Sequence, residues 1–134
     1  MIKVIKMNIK LINEIIHGSL ENTLTFPQVA GKLINEGVES YHVDLIRGEN
    51  RYYMPSGESH VEMVPFKHPE AAEKFSATLV KAAIKNIQTG KINYKEFLHQ
   101  IMNAGTVYYI AYLSGKRVIY LGREGDFHVE HFPQ

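Results

Sequence analysis

Gly57-Glu58-Ser59-His60-Val61-Glu62-Met63-Val64-Pro65 returns 68 positions later as Gly125-Asp126-Phe127-His128-Val129-Glu130-His131-Phe132-Pro133. Five of the nine positions are identical, and Glu58/Asp126 and Val64/Phe132 are conservative. The same offset, without a gap, sets Leu11 on Leu79, Ile16 on Ile84, Asn35 on Asn103, Gly37 on Gly105 and Tyr41 on Tyr109. It also sets Leu45 on Leu113 and Tyr52 on Tyr120, which makes twelve identities over positions 8–66. A period this long is not a solenoid unit. It reads as a half-domain used twice, with pseudo-repeats at about 8–66 and 76–134 and a linker near 65–69.

Each half has the same local grammar. Ile9, Ile12, Ile15 and Ile16 recur at helical spacing and stop near Gly18. Their counterpart is expected from Pro69 to about Gln88, with an apolar stripe at Phe75, Leu79, Val80, Ala83, Ile84 and Ile87. A second helix starts at Thr25-Phe26-Pro27-Gln28, where threonine caps, proline occupies the first turn and glutamine closes a capping box. Asn93-Tyr94-Lys95-Glu96 repeats the device with other residues. Gly37 and Gly105 then stand where a left-handed residue ends the helix.

Beyond each glycine the apolar period changes from 3.6 to 2. Strands are expected at Ser40 to Arg47 and Thr106 to Leu113, at 51–54 and 117–121, and at 60–64 and 127–132, with turns at 48–50 and 114–116. The fold class that follows is α+β: two helix-helix-strand-strand-strand units in one domain over residues 1–134. Antiparallel strands form the sheet, and helices pack on one face of it.

Composition sets limits on function. The 134 residues carry 15 basic and 14 acidic side chains and no cysteine, with 45% apolar residues. Charge this even gives no pull toward nucleic acid, and thiolate chemistry is excluded. Lysines interrupt the apolar start of the chain, which therefore does not read as a signal peptide, and no stretch is long enough to span a membrane. A cytoplasmic protein is the expectation.

The repeat separates shared scaffold from divergence. Tyr41/Tyr109 and Leu45/Leu113 share one strand face and read as core. The opposite face carries Ser40, His42 and Asp44 in the first half, but Tyr108, Ile110 and Tyr112 in the second. If helices cover the Tyr41 face, this second face is open, and an open aromatic stripe marks a binding surface. Tyr53, Tyr108, Ile110 and Tyr112 are its candidate residues, facing a second copy of the chain or a small apolar ligand. His42 and Asp44 alternate on one strand and could form an oriented acid–base pair, which makes them the candidate catalytic residues. Alternatively they are ordinary polar residues on a solvated strand. His60, Glu62, His128 and Glu130 could gather near a pseudo-twofold axis as ligands for zinc or a similar divalent ion. His131 could add a ligand, although it points to the other face. The alternative is that the repeated triplet simply holds its turn by bonding backbone groups.

With these segments laid out, the chain resembles the YbcV-like bacterial proteins, a family of unknown function often labelled phage envelope protein. The resemblance rests on Phe26-Pro27-Gln28-Val29 through Gly37, on Tyr41-His42-Val43-Asp44-Leu45, and on Tyr53-Met54-Pro55-Ser56-Gly57-Glu58-Ser59-His60-Val61. It continues through Val118-Ile119-Tyr120-Leu121-Gly122-Arg123 and His128-Val129-Glu130. It implies no activity, cofactor or catalytic residue. Three functions are then expected in order. The first is a non-enzymatic binding domain, acting as a homodimer or on a small apolar ligand. The second is a metal-assisted hydrolase using His42, Asp44, His60 and His128. The third is a phage structural component.

Overall fold

The computed structural model describes residues 6–66 and 70–133. In chain order it contains α1 (Ile9–Leu20), α2 (Phe26–Asn35), β1 (Ser40–Asp44), β2 (Glu49–Tyr53) and β3 (Ser59–Met63). The second half follows with α3 (Ala77–Gln88), α4 (Tyr94–Asn103), β4 (Thr106–Tyr112), β5 (Arg117–Gly122) and β6 (Phe127–His131). This is the expected α+β architecture, with the helix-helix-strand-strand-strand order present twice.

Local chemistry explains the helix starts. Gln28 Oε1 accepts from the Thr25 N–H at 2.8 Å, and Glu96 Oε1 accepts from the Asn93 N–H at 3.1 Å, so both capping boxes form. Asn8 and Ser76, equivalent at the offset of 68, accept from the N–H groups of Leu11 and Leu79 and start α1 and α3. The second cap corrects one boundary. The helix expected from Pro69 begins at Ala77, and Pro69 itself lies outside the described residues. Before Ser76 the chain packs on the end of α4 instead, where the N–H groups of Ala72 and Ser76 donate to Met102 O and Ala104 O.

One six-stranded antiparallel sheet runs in the order β3-β2-β1-β4-β5-β6. Each half contributes a meander, and the two meanders join through β1 and β4. Across that joint His42 pairs with Ile110, its own equivalent at the offset of 68. A local two-fold that exchanges the halves therefore passes through this pair. The turns between first and second strands lie at 45–48 and 113–116, so β2 begins two residues earlier than expected. Gly48 (φ 70°) and Lys116 (φ 54°), again equivalent positions, both take the left-handed conformation that reverses the chain. Asp44 reinforces the first turn, its Oδ1 accepting from the N–H groups of Ile46 and Arg47 at 3.0 Å each.

All four helices lie on one face of the sheet. The buried cluster between the layers draws Leu33, Tyr41, Val43 and Tyr52 from the first half. Ile101, Val107, Tyr109 and Tyr120 come from the second. Each buried side chain of this size stabilises the fold by about 1.5–3 kcal/mol. Leu33 and Ile101 are equivalent at the offset of 68 and both are 0% exposed. No helix among the described residues is long and apolar enough to cross a membrane.

Candidate functional site

The face away from the helices holds the residues that alternate with the core. Tyr53, Tyr108, Ile110 and Tyr112 all point there, Tyr108 being 43% and Tyr112 37% exposed. The register continues this face outward to Val61 and Met63 at one edge and Phe127 at the other, all exposed. At its centre is a depression of about 500 Å3, floored by Ile110, Tyr108 and Leu121 and rimmed by Asp44, Arg47 and Arg51. The two-fold through His42 and Ile110 passes through this depression.

His42 and Asp44 lie on this face but do not form the expected pair. Asp44 is held by its own turn, as described above, and His42 leans on the Tyr53 ring with centroids 4.9 Å apart. Partial burial, with the Arg51 guanidinium as a second cause, lowers the His42 pKa below its ordinary 6.5. An adjacent carboxylate would raise it instead. The reason lies in the turn: two backbone N–H groups reach the Asp44 oxygen first.

The two His-Val-Glu copies do not meet, which corrects the expectation of a shared site on the axis. β3 and β6 are the two outer strands, with four strands between them. At about 4.8 Å per strand the copies stand roughly 24 Å apart. Two meanders that join through their first strands necessarily send their third strands to opposite edges. Within each copy the side chains bond one another rather than backbone. His60 Nε2 and Glu62 Oε1 are 2.7 Å apart, and His128 Nε2 and Glu130 Oε1 are 3.0 Å apart. Both pairs lie under the helices, and each histidine sits across from a buried tyrosine of the next strand, His60 from Tyr52 and His128 from Tyr120. His131 is on the opposite face, where it was expected, and is exposed. Among the described residues no three histidine, aspartate or glutamate side chains converge as a metal site. The residues of the expected hydrolase are likewise dispersed, His42 on the open face and His60 and His128 at opposite edges of the covered one.

A second concavity was missed by the sequence reading. A cavity of about 650 Å3 lies between helices and sheet, on the covered side of the same two-fold. Equivalent residues line it from both halves, including Tyr41 with Tyr109, Phe26 with Tyr94 and Leu24 with Ile92. Tyr94 and Tyr109 join their hydroxyls at 2.6 Å. Burial, and then the neighbouring Tyr94 hydroxyl, raise the pKa of Tyr41 and Tyr109 well above 10, and burial pushes Tyr94 up to about 12. Burial also raises Tyr52 and Tyr120. A raised tyrosine pKa contributes stability below the unfolded value near 10 that is lost as pH climbs past it. Alkaline titration followed at 295 nm is therefore expected to leave these five tyrosines protonated above pH 10, ionising only as the fold opens. Their titration near 10 with the fold intact would contradict the burial.

Asn50 was also missed. It was read as part of a turn, whereas β2 begins at Glu49 and turns Asn50 inward. It is 7% exposed and lines the cavity, and its equivalent in the other half is Val118. The alternation Asn50, Tyr52 on the inner face was the available signal.

No curated protein matches the chain. A family profile does, that of the family described as "Protein of unknown function (DUF1398)", over residues 14–130. A match across both helix pairs and nearly all of the sheet places the chain in that family.

Proposed function

We propose that this protein is a non-enzymatic binding domain that works through its open sheet face, and that the occupant of that face is a second copy of the chain. The observation that carries this reading is the apolar surface on the open face of the second half, from Tyr108, Ile110 and Tyr112 on β4 to Phe127 at the edge, with Val61 and Met63 exposed at the far edge and the polar His42, Asp44, Glu49 and Arg51 between. Surface of this extent is costly to leave in water and is characteristic of an interaction site. The area supports a like-sized partner. Six strands at about 4.8 Å by five residues at about 3.3 Å present roughly 500 Å2 per copy. Two such faces bury about 1,000 Å2, near the lower limit for a specific interface. A reversible, concentration-dependent homodimer follows, closed by a two-fold as most homo-oligomers are.

Size-exclusion with light scattering tests it. The wild type is expected to shift from monomer to dimer as concentration rises. Ile110→Glu puts a charge at the centre of the face and is expected to weaken dimerisation by about 100-fold without unfolding the chain. A wild type that stays monomeric throughout, or an Ile110→Glu variant that dimerises as before, contradicts the reading.

A further inference from the structure

The interior cavity is a different place from the open face, on the other side of the sheet, and its chemistry is distinct. We infer that it is a binding site for a neutral, mostly apolar small molecule carrying one polar head group that both donates and accepts a hydrogen bond.

Size comes first. About 650 Å3 falls in the range of pockets that enclose small organic ligands. Its entrance is rimmed by Asn22, Thr25, Gln88 and Gly90, all exposed, at the α1–α2 and α3–α4 turns. The site sits where two similar halves face each other, so neither half fills it alone.

Charge comes next. Among the described residues, no Lys, Arg, His, Asp or Glu side chain lines the cavity. A carboxylate or ammonium group would enter with nothing to neutralise it, which is costly in an apolar surround. The ligand is therefore uncharged. The walls are aliphatic and aromatic, with Ile15, Leu20, Val29 and Ile87 among them.

The polar end is a cluster of Tyr41, Tyr52, Tyr94, Tyr109 and Asn50. Burial keeps these tyrosines protonated, and with the Tyr94 and Tyr109 hydroxyls bonded to each other, the O–H groups of Tyr41 and Tyr52 remain available as donors. Asn50 Nδ2 donates to the Tyr52 hydroxyl at 3.2 Å, while Asn50 Oδ1 is buried with no partner among the described residues. Tyr41 is 4% exposed, and no hydrogen bond to its hydroxyl is present among the described residues. An unpaired buried acceptor destabilises the fold, because it has given up water without gaining a partner. A protein whose other half has valine at the equivalent position carries that cost at Asn50 where a ligand returns it. A phenol- or alcohol-type head group satisfies both residues, donating to Asn50 and accepting from a tyrosine.

Calorimetric titration with three probes of one ring system tests this: 1-naphthol (neutral, with a hydroxyl), naphthalene (neutral, without one) and 1-naphthoate (anionic). The wild type is expected to bind 1-naphthol at one site per chain, naphthalene about tenfold more weakly for want of the hydrogen bonds, and 1-naphthoate at least about 100-fold more weakly. Asn50→Val places the other half's residue here. It is expected to bring 1-naphthol down to the naphthalene level and leave naphthalene unchanged. Ser19 is on the α1 wall of the cavity, so Ser19→Phe fills it and is expected to abolish binding of both, with circular dichroism confirming the fold of each variant. Absence of saturable 1-naphthol binding to the wild type overturns the inference. So does equal binding of 1-naphthoate, or a preference for 1-naphthol that survives Asn50→Val. If one variant does not fold, the other variant and the three-probe ranking still decide.

Discussion

Truncating Leu33 or Ile101 to alanine is expected to cost about 2–5 kcal/mol in either case, and to lower a single, whole-chain unfolding transition. Both side chains are fully buried, one in α2 and one in α4, and they occupy equivalent places 68 residues apart. The loss combines the transfer free energy of the deleted groups with the cavity left behind. Against a total stability of about 5–15 kcal/mol, either change removes a large share. The pair matters more than either variant. Residues of both halves form one buried cluster, and the halves are paired through β1 and β4. A defect in one half is then expected to weaken both. Urea unfolding followed by far-ultraviolet and tyrosine signals is the measurement. Coincident curves, equally displaced for the two variants, are expected. A variant that shifts only one of two separable transitions would show that the halves are independent domains.

Gly105→Ala is expected to cost about 2–4 kcal/mol, and Gly125→Ala only about 1–2 kcal/mol. Both glycines have positive φ, 91° and 87°. At Gly125 an added Cβ would meet nothing within 4 Å, so the cost is that of the left-handed backbone alone. At Gly105 the Cβ would also run into the backbone of Lys74 and Phe75, in the segment that packs on the end of α4. Neither the carbonyl of Lys74 nor the Phe75 Cα can rotate away as a side-chain tip could. Thermal unfolding of the two variants side by side separates conformational strain from collision. Equal losses would contradict the close approach.

Much of this fold was legible because its signals are local. The caps at Thr25 and Asn93 and the glycines at 37 and 105 each act within a few residues of their own position. The periodicity of the strands likewise assigned faces correctly, Tyr41 and Tyr109 inward and Tyr108 and Tyr112 outward. What failed was set by distant pairing or by competition for one atom. Nothing in the two His-Val-Glu strings reveals that their strands end at opposite edges, because that follows from β1 and β4 joining at the centre. Asp44 looked free to orient His42, yet its carboxylate is taken by the N–H groups of Ile46 and Arg47. Asn50 was hidden by a two-residue shift of the turn, whose reversing position is Gly48, matched by Lys116 in the other half. Such a shift leaves the strand's alternation intact while moving an extra polar residue onto the buried face.

The reading of the open face as the working surface can be put to one direct measurement. A mixed sample of isotope-labelled and unlabelled protein, at a concentration where dimer is expected, reports intermolecular nuclear Overhauser effects. Such contacts are expected at the rings of Tyr108 and Tyr112 and the methyl groups of Ile110, on the face away from the helices. Contacts arising from α1–α4, or none at any attainable concentration, would contradict it.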